Sequence, residues 1–421
     1  MAGNMALKIL FIGVGLVHYF NGVLNRLDAL ENIEIINLVP ERSRGHLEEG
    51  VYATNQDVTF KILSLPEISV TPLLKRFRGL RSLLVHEQPN IIVYTDYYRN
   101  IFLFDWPVIK TVKRQNIRLV MKSIPFRINK YPDALAHADK LINSDKVLPK
   151  KLRGNDLAWD IDIPRGIKRT LGRLSILLRK LSLNVPHAHV NYIEDAYEIY
   201  QSYGVPHHKI FITSNSPDTD DLLSIRKRIE NDPPIIKKCD HRIIHVGRLV
   251  NGKRVDLLVH ALVAVKKEIP DAELIVIGDG PEKESLVKLA AHLNVLDSIR
   301  FIGAIYDARL LGKYFLASSI YVLAGMGGLS INDAMCFGRP IICSVCDGTE
   351  KRLVRDGYNG LYFEQGNQKD LAQKIVYLLK NPRLQREMGI NSVSIIENEV
   401  NIHTVVKGYL DAFAYVMRHC A

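Results

Sequence analysis

Short runs of aliphatic and β-branched residues alternate with helical repeats along almost the whole chain. In the first half the runs fall at 8–13, 33–39, 60–65, 91–96, 119–124, 140–143, 189–193 and 210–214. In the second half they fall at 242–246, 273–277, 300–303, 320–324 and 340–344. Each is short and too continuously apolar to leave one face in water, which is the signature of a strand covered on both sides. Between them, as with Val255, Leu258, Val259, Leu262 and Val265, apolar residues recur at helical spacing. Strands separated by helices build a parallel sheet. At 421 residues the chain exceeds what one hydrophobic core supports. The alternation breaks at residues 231–240, where Pro233-Pro234 and flanking charges predict an interdomain linker. The expected organisation is α/β, with two Rossmann-like doubly wound domains facing a cleft. Residues 1–231 form the first, residues 232–400 the second, and a C-terminal helix at 401–421 crosses back onto the first.

Composition removes several classes. No run of about 18 uncharged apolar residues occurs, so no membrane-spanning helix is expected. Residues 1–8 lack a basic-then-apolar leader, and the apolar run 9–17 contains two glycines, which suits a first strand and its turn. Five cysteines, an odd number spread over a long chain, suit free thiols in a reducing cytosol. The lone CxxC of Cys343 and Cys346 reads as a strand end. The net charge is +11, and residues 150–180 hold nine basic side chains against three acids. Such a patch fits nucleic acid, a membrane surface or an anionic substrate.

Two blocks bear on that choice. After the strand at 242–246 the chain reads Gly247-Arg248-Leu249-Val250-Asn251-Gly252-Lys253. A glycine frees the turn, and an arginine and a lysine follow before a helix, an arrangement suited to a phosphate or diphosphate. A solvated loop with two surface cations is the alternative. After the strand at 320–324 comes Gly325-Met326-Gly327-Gly328-Leu329-Ser330-Ile331-Asn332-Asp333, leading into a short helix. Its glycines allow close backbone approach, and the amides of the helix start attract an anion. Asp333 lies about one turn in, where a carboxylate can accept hydrogen bonds from a ribose diol or favour the helix dipole.

In this order the two blocks resemble the C-terminal domain of family 4 glycosyltransferases, retaining enzymes of the GT-B fold. The turn Gly278-Asp279-Gly280-Pro281, the segment Phe301-Ile302-Gly303 and the stretch from Asp347 to Leu361 resemble further family motifs, and the likeness is best over residues 189–390. The resemblance implies that Arg248 and Lys253 contact the donor diphosphate and act in catalysis. It implies a donor site of Gly247, Gly278, Ile305, Gly325, Met326, Gly327, Gly328, Leu329, Ser330 and Asp333, with Asp333 on the ribose. The glycine loop Gly13-Val14-Gly15 stands where the family has a loop near the donor phosphate, which adds Gly15. The chain departs from the family at Gly325, eight residues before Asp333, where the motif's first Glu is expected. The family's usual His after the strand at 119–124 is also missing. No metal and no tightly bound cofactor are expected, since no credible metal-binding Asp cluster accompanies the two cations.

Two segments suggest where an acceptor is met. A helix is predicted over 72–87, with Leu73, Phe77, Leu80 and Leu84 on one stripe beside Lys75, Arg76, Arg78 and Arg81. A second is predicted over 165–183, with Ile167, Leu171, Leu174, Leu178 and Leu181 flanked by Lys168, Arg169, Arg173, Arg179 and Lys180. Basic amphipathic helices of this type lie on anionic bilayers, unless their stripes face the core. The expectation is a retaining enzyme moving a sugar from a UDP- or GDP-sugar to a glycolipid or lipid-linked saccharide. It would sit in the cytoplasm, peripheral at the inner face of the membrane, with no nucleic-acid partner. An inactive scaffold of a polysaccharide-assembly complex and a sugar-nucleotide epimerase are the alternatives.

Overall fold

In the computed structural model, residues 6–41, 57–71, 74–124, 128–140, 165–237, 239–346 and 348–419 are described. They form two compact units, one of Met1–Thr213 with Val406–Ala421 and one of Ser214–Val405. The strands of the first are β1 (Leu7–Ile12), β2 (Ile33–Pro40), β3 (Lys61–Leu65), β4 (Glu67–Thr71), β5 (Leu74–Phe77), β6 (Ile91–Thr95), β7 (Arg118–Ser123), β8 (Ala188–Asn191) and β9 (Ile210–Ile212). Seven make one parallel sheet in the order β3-β2-β1-β6-β7-β8-β9, and β4 and β5 pair as a separate antiparallel hairpin. Both faces of the large sheet are covered. Leu10, Ile12, Ile36, Leu38, Tyr94 and Met121 pack on Leu80, Leu84, Val112 and Tyr200. On the other face Phe11 lies edge-on to Phe20 and Tyr409, each with ring centroids 6.0 Å away.

The second unit holds β10 (Arg242–Val246), β11 (Glu273–Ile277), β12 (Ile299–Gly303), β13 (Ile320–Leu323), β14 (Ile341–Cys343) and β15 (Gly360–Tyr362). They form one parallel sheet in the order β12-β11-β10-β13-β14-β15. Ile243, Leu274, Val276 and Val322 face Leu258 and Leu262, while Ile244, Ile275, Tyr321 and Leu323 face Ile225, Ile331 and Phe337. Burial on both faces is why these strands read as unbroken apolar runs. The expected α/β class with two doubly wound sheets is what the chain adopts.

Three local expectations differ. Residues 74–77 are a strand, not the middle of a helix, and the helix that follows is Leu80–Glu87. Gly79, at φ +88°, separates the two, and alternation lets Lys75 reach Glu67 at 3.6 Å and lie 4.2 Å over the Tyr97 ring. Phe77, Leu80 and Leu84 are buried in the core, so the described part of this stripe presents nothing to a membrane; Leu73 lies outside the described residues. Lys140 ends the helix Tyr131–Lys140 instead of starting a strand, and residues 141–143 lie outside the described residues. Residues 231–240 lie inside the second unit, because the helix Thr219–Ile229 buries Leu222, Ile225 and Ile229 in that unit's core.

At the amino end of β10 stands Arg242, 1% exposed, with its guanidinium on Glu273 (2.9 Å), Ala317 O (2.8 Å) and Lys237 O (2.7 Å). A buried cation is tolerated only when paired this fully. Arg242→Leu should lower stability by about 3–5 kcal/mol, since Glu273 and two carbonyls lose their donor. Denaturant unfolding of the two forms checks this.

Candidate functional site

In the second unit the chain runs outward through β10, β11 and β12, then returns to place β13 on the other side of β10. Connections leave β10 in opposite directions at this point, and open α/β sheets bind ligands at such a switch, outside the carboxyl ends. The loops following β10 and β13 are the two glycine-containing blocks of the sequence. The topology therefore brings together Gly247, Arg248, Lys253, Gly325–Ser330 and Asp333, residues nearly ninety positions apart.

Backbone contact fixes these loops. Met326 N–H donates to Gly252 O at 2.8 Å. A Cβ at Gly325 would stand 2.3 Å from Gly252 O and 2.7 Å from the carbonyl carbon of Lys253. No side chain fits at 325 while the loops hold this approach, which gives a steric reason for the missing Glu. Lys253 Nζ spans the same gap, donating to Met326 O (3.0 Å) and Gly327 O (2.5 Å). The loop after β11 joins from the other side. Gly247 N–H donates to Ile277 O (3.0 Å), Leu249 N–H to Asp279 O (2.9 Å) and Gly278 N–H to Gly303 O (2.9 Å). A Cβ at Gly278 would lie 1.9 Å from Gly247 O, and one at Gly280 would lie 2.5 Å from Leu249 O. Arg248 is half-buried between these bonded neighbours. Ile305, just past β12, is half-buried and packs on the core.

The helix Ser330–Cys336 begins at this junction. Ser330 Oγ and Tyr321 OH are 2.8 Å apart, and Tyr321 OH donates to Val246 O at 3.4 Å, so β13, β10 and the helix start are tied together. The Asp333 carboxylate has no hydrogen-bond partner among the described residues, and burial pushes it up to about 7. Neighbouring Asn332 is 1% exposed with neither amide atom bonded. His245 hydrogen-bonds Val322 O at 3.0 Å, its other nitrogen faces Gly247, and burial holds it neutral, down to about 4. The site thus offers two cations and a short helix start to an anion, and a carboxylate with spare acceptor capacity to hydroxyls. No group of three or more His, Cys, Asp or Glu able to hold a metal occurs among the described residues. Tyr321, His245 and Asn332 were not singled out from sequence: a tyrosine or histidine inside a strand reads as core, and only the loops carry glycine signals.

Gly15 belongs to the first unit, buried in the loop between β1 and the helix His18–Asp28. The helix Arg165–Leu183 forms as expected. Its Arg173 holds Asp139 of the helix Tyr131–Lys140 at 3.0 and 2.9 Å, and Lys180 lies 4.8 Å over the Tyr131 ring. Leu174, Leu177 and Leu181 stay 47%, 47% and 50% exposed, so the outward stripe keeps Leu174 and Leu181 of the one read from sequence and adds Leu177, while Leu171 and Leu178 are half-buried and the side chain of Ile167 lies outside the described residues. Arg76, Arg78 and Arg81 are exposed, and the side chains of Lys168 and Arg169 lie outside the described residues.

Residues 227–394 match the family model of glycosyl transferases group 1. An uncharacterized glycosyltransferase of Haemophilus influenzae is 32% identical over 168 residues, covering 39% of this chain and 46% of that protein. The alpha-monoglucosyldiacylglycerol synthase of Acholeplasma laidlawii is 28% identical over 152 residues, 35% of this chain and 37% of that protein. The chain spans about half the length of the first curated relatives it matches. The crystal structure of Anabaena Alr3699/HepE in complex with UDP superposes with a TM-score of 0.63 at 13% identity, covering 97% of this chain and 100% of that one. The fold is that of the GT-B glycosyltransferases.

Gly278 and Gly303 separate two reasons for a glycine. Both have positive φ, +144° and +92°, but only Gly278 meets backbone. Gly303→Ala should cost about 1 kcal/mol of stability, from strain alone. Gly278→Ala should cost about 3 kcal/mol or more, as the loops are forced apart. Thermal unfolding of both variants checks the contrast.

Proposed function

We propose, proceeding from residues 227–394 as a group 1 glycosyl transferase domain, that this chain moves a sugar from a UDP- or GDP-sugar to a glycolipid or lipid-linked saccharide, with retention of configuration. The observation that carries the reading is the convergence at one switch point of Arg248, Lys253, the helix start at Ser330 and the unpartnered Asp333. In this reading Arg248 and Lys253 stabilise charge developing on the leaving diphosphate, and the amides around Gly328, Leu329 and Ser330 hold its oxygens. An ammonium has three donors, and Lys253 gives two of them to Met326 O and Gly327 O. It therefore orders the loop as well as facing the anion. Asp333 accepts the ribose hydroxyls. With Gly325 against Gly252 O, the transferred sugar is held by backbone and not by a side chain at 325. In this front-face route the leaving phosphate oxygen takes the acceptor proton, so no strong protein base is required.

The same Gly325 favours a second reading, a scaffold that binds donor without turning it over. Nucleotide release in a screen of UDP- and GDP-sugars with membrane lipid extracts separates the two. Conversion of the nucleotide sugar without added acceptor would instead indicate an epimerase. Arg248→Ala should lower transfer by about 10²–10³-fold. Unchanged kinetics would move the diphosphate elsewhere.

The Asp333 carboxyl gives the donor reading a pH signature. Hydroxyl donors favour the ionised form, whose share rises as pH climbs through about 7. Affinity for a nucleotide sugar, whose diphosphate diester does not titrate there, should rise about tenfold from pH 6 to pH 8. Asp333→Asn should flatten that rise. Calorimetric titration at both pH values reads the difference.

For the acceptor side, the helix Arg165–Leu183 supports docking on an anionic membrane surface. It carries no acid, and Leu174, Leu177 and Leu181 form its exposed stripe beside Arg179 and Lys180. No helix among the described residues is long and apolar enough to cross a membrane, so attachment would be peripheral. Leu174, Leu177 and Leu181 changed together to Ser should lower cosedimentation with anionic vesicles, as should raised salt. Equal sedimentation would remove this helix from the membrane.

A further inference from the structure

Lys122 lies near the carboxyl end of β7, flanked in register by Thr95 on β6 and Val190 on β8. Register partners share a face of the sheet, and this is the face that carries Phe11 of β1. The next residue, Ser123, points the other way, to Asn191 Oδ1 at 3.3 Å. A lysine on the covered face of a parallel sheet normally has a carboxylate beside it. Lys122 has none among the described residues. Its ammonium stands 3.1 Å over the Phe20 ring centroid and 5.8 Å from that of Tyr192. The surrounding phenols supply no charge, since burial pushes Tyr192 and Tyr409 well above their usual range. Across the register, Thr95 Oγ1 is buried without a hydrogen-bond partner.

The environment disfavours the cation it holds. Burial alone draws the Lys122 amine down to about 7. Aromatic faces offset part of that cost but accept no N–H hydrogen bond of ordinary strength. The ammonium has three donors and no oxygen acceptor among the described residues. The residue is half-buried, so a solute can reach it as water does. No ion pair or hydrogen bond within the described fold uses this charge, and a methionine of similar length would pack as well.

We propose that Lys122 and Thr95 form an oxyanion-binding subsite of the first unit, taking a phosphate or carboxylate group of a substrate. The amine receives a proton as the anion enters, its three N–H groups spread over the oxygens, and Thr95 Oγ1 donates one more hydrogen bond. Phe20 and Tyr192 keep the stem in place. That an anion binds here concerns the first unit alone; that its bearer is the nucleotide donor or an acidic acceptor rests on the sugar-transfer reading.

Two measurements test it on the full chain. In the first, amines are acetylated to low extent at pH 7 and each lysine is followed by mass spectrometry, with inorganic phosphate, glucuronate or UDP in separate arms. Lys122 should be protected at least fivefold in one arm while exposed Lys61 is unchanged. Protection by UDP alone assigns the anion to the donor, and protection by phosphate or glucuronate assigns it to the acceptor. No protection in any arm overturns the subsite. In the second, Lys122→Met should melt higher than the parent without ligand, and should lose any rise in melting temperature that the protecting anion gives the parent. Lys122→Arg should retain that rise. A Lys122→Met variant that melts lower, or that keeps the rise, would show the lysine to be a packing element and overturn the proposal.

Discussion

The second unit depends on how closely three loops approach one another through bare backbone. Gly325 against Gly252 O, Gly278 against Gly247 O and Gly280 against Leu249 O are contacts in which a single carbon atom has no room. Hydrogen bonds from Met326, Gly247 and Leu249 draw the strands' trailing loops into that contact. Carbonyl oxygens then crowd on the inner side, and Lys253 is the cation that neutralises them at Met326 and Gly327. Geometry and charge are one constraint here. Removing the glycines parts the loops, and removing the lysine leaves carbonyl dipoles facing each other.

Such a junction explains why no side chain stands at 325. A glutamate at 325 would need the 247–254 loop to retreat, which would also move Arg248 and Lys253. Backbone approach and a side-chain ligand at 325 are alternatives. This chain has taken the first, so nothing but backbone lines the site at 325. The carboxylate at Asp333 has no hydrogen-bond partner among the described residues, and burial raises it to about 7, a cost that hydroxyls of a ligand would offset.

Much of this was legible in the sequence because its signals are local. Two-sided burial wrote the strands as continuous apolar runs, and β10 and β11 have the limits expected of them. Glycine-rich loops between a strand and a helix marked Gly247–Lys253 and Gly325–Ser330. What failed to show was settled by distant partners. Residues 74–77 carry a helical-looking stripe, yet Glu67 and Tyr97 hold Lys75 in a hairpin. On the helix Arg165–Leu183, Leu183 is buried in the first unit's core with Ile176 packed against it, which leaves Leu174, Leu177 and Leu181 outward. Tyr321, which ties two strands to a helix start, looks like any core aromatic.

Arg242 and Lys122 set the limits of what burial of a cation can mean. Arg242, at the amino end of β10, has a carboxylate and two carbonyls for its guanidinium, and the surrounding chain is arranged to satisfy it. Lys122, near the carboxyl end of β7, has two aromatic faces and no oxygen among the described residues. Both interrupt an apolar sheet, so packing alone asked for neither. The first repays its desolvation inside the protein. The second finds no such partner among the described residues and is left to solvent or to a group brought from outside, and it stands at the end of the sheet where α/β folds meet their ligands. A satisfied buried charge is part of the fold, whereas an unsatisfied one at a carboxyl edge belongs to what the fold binds.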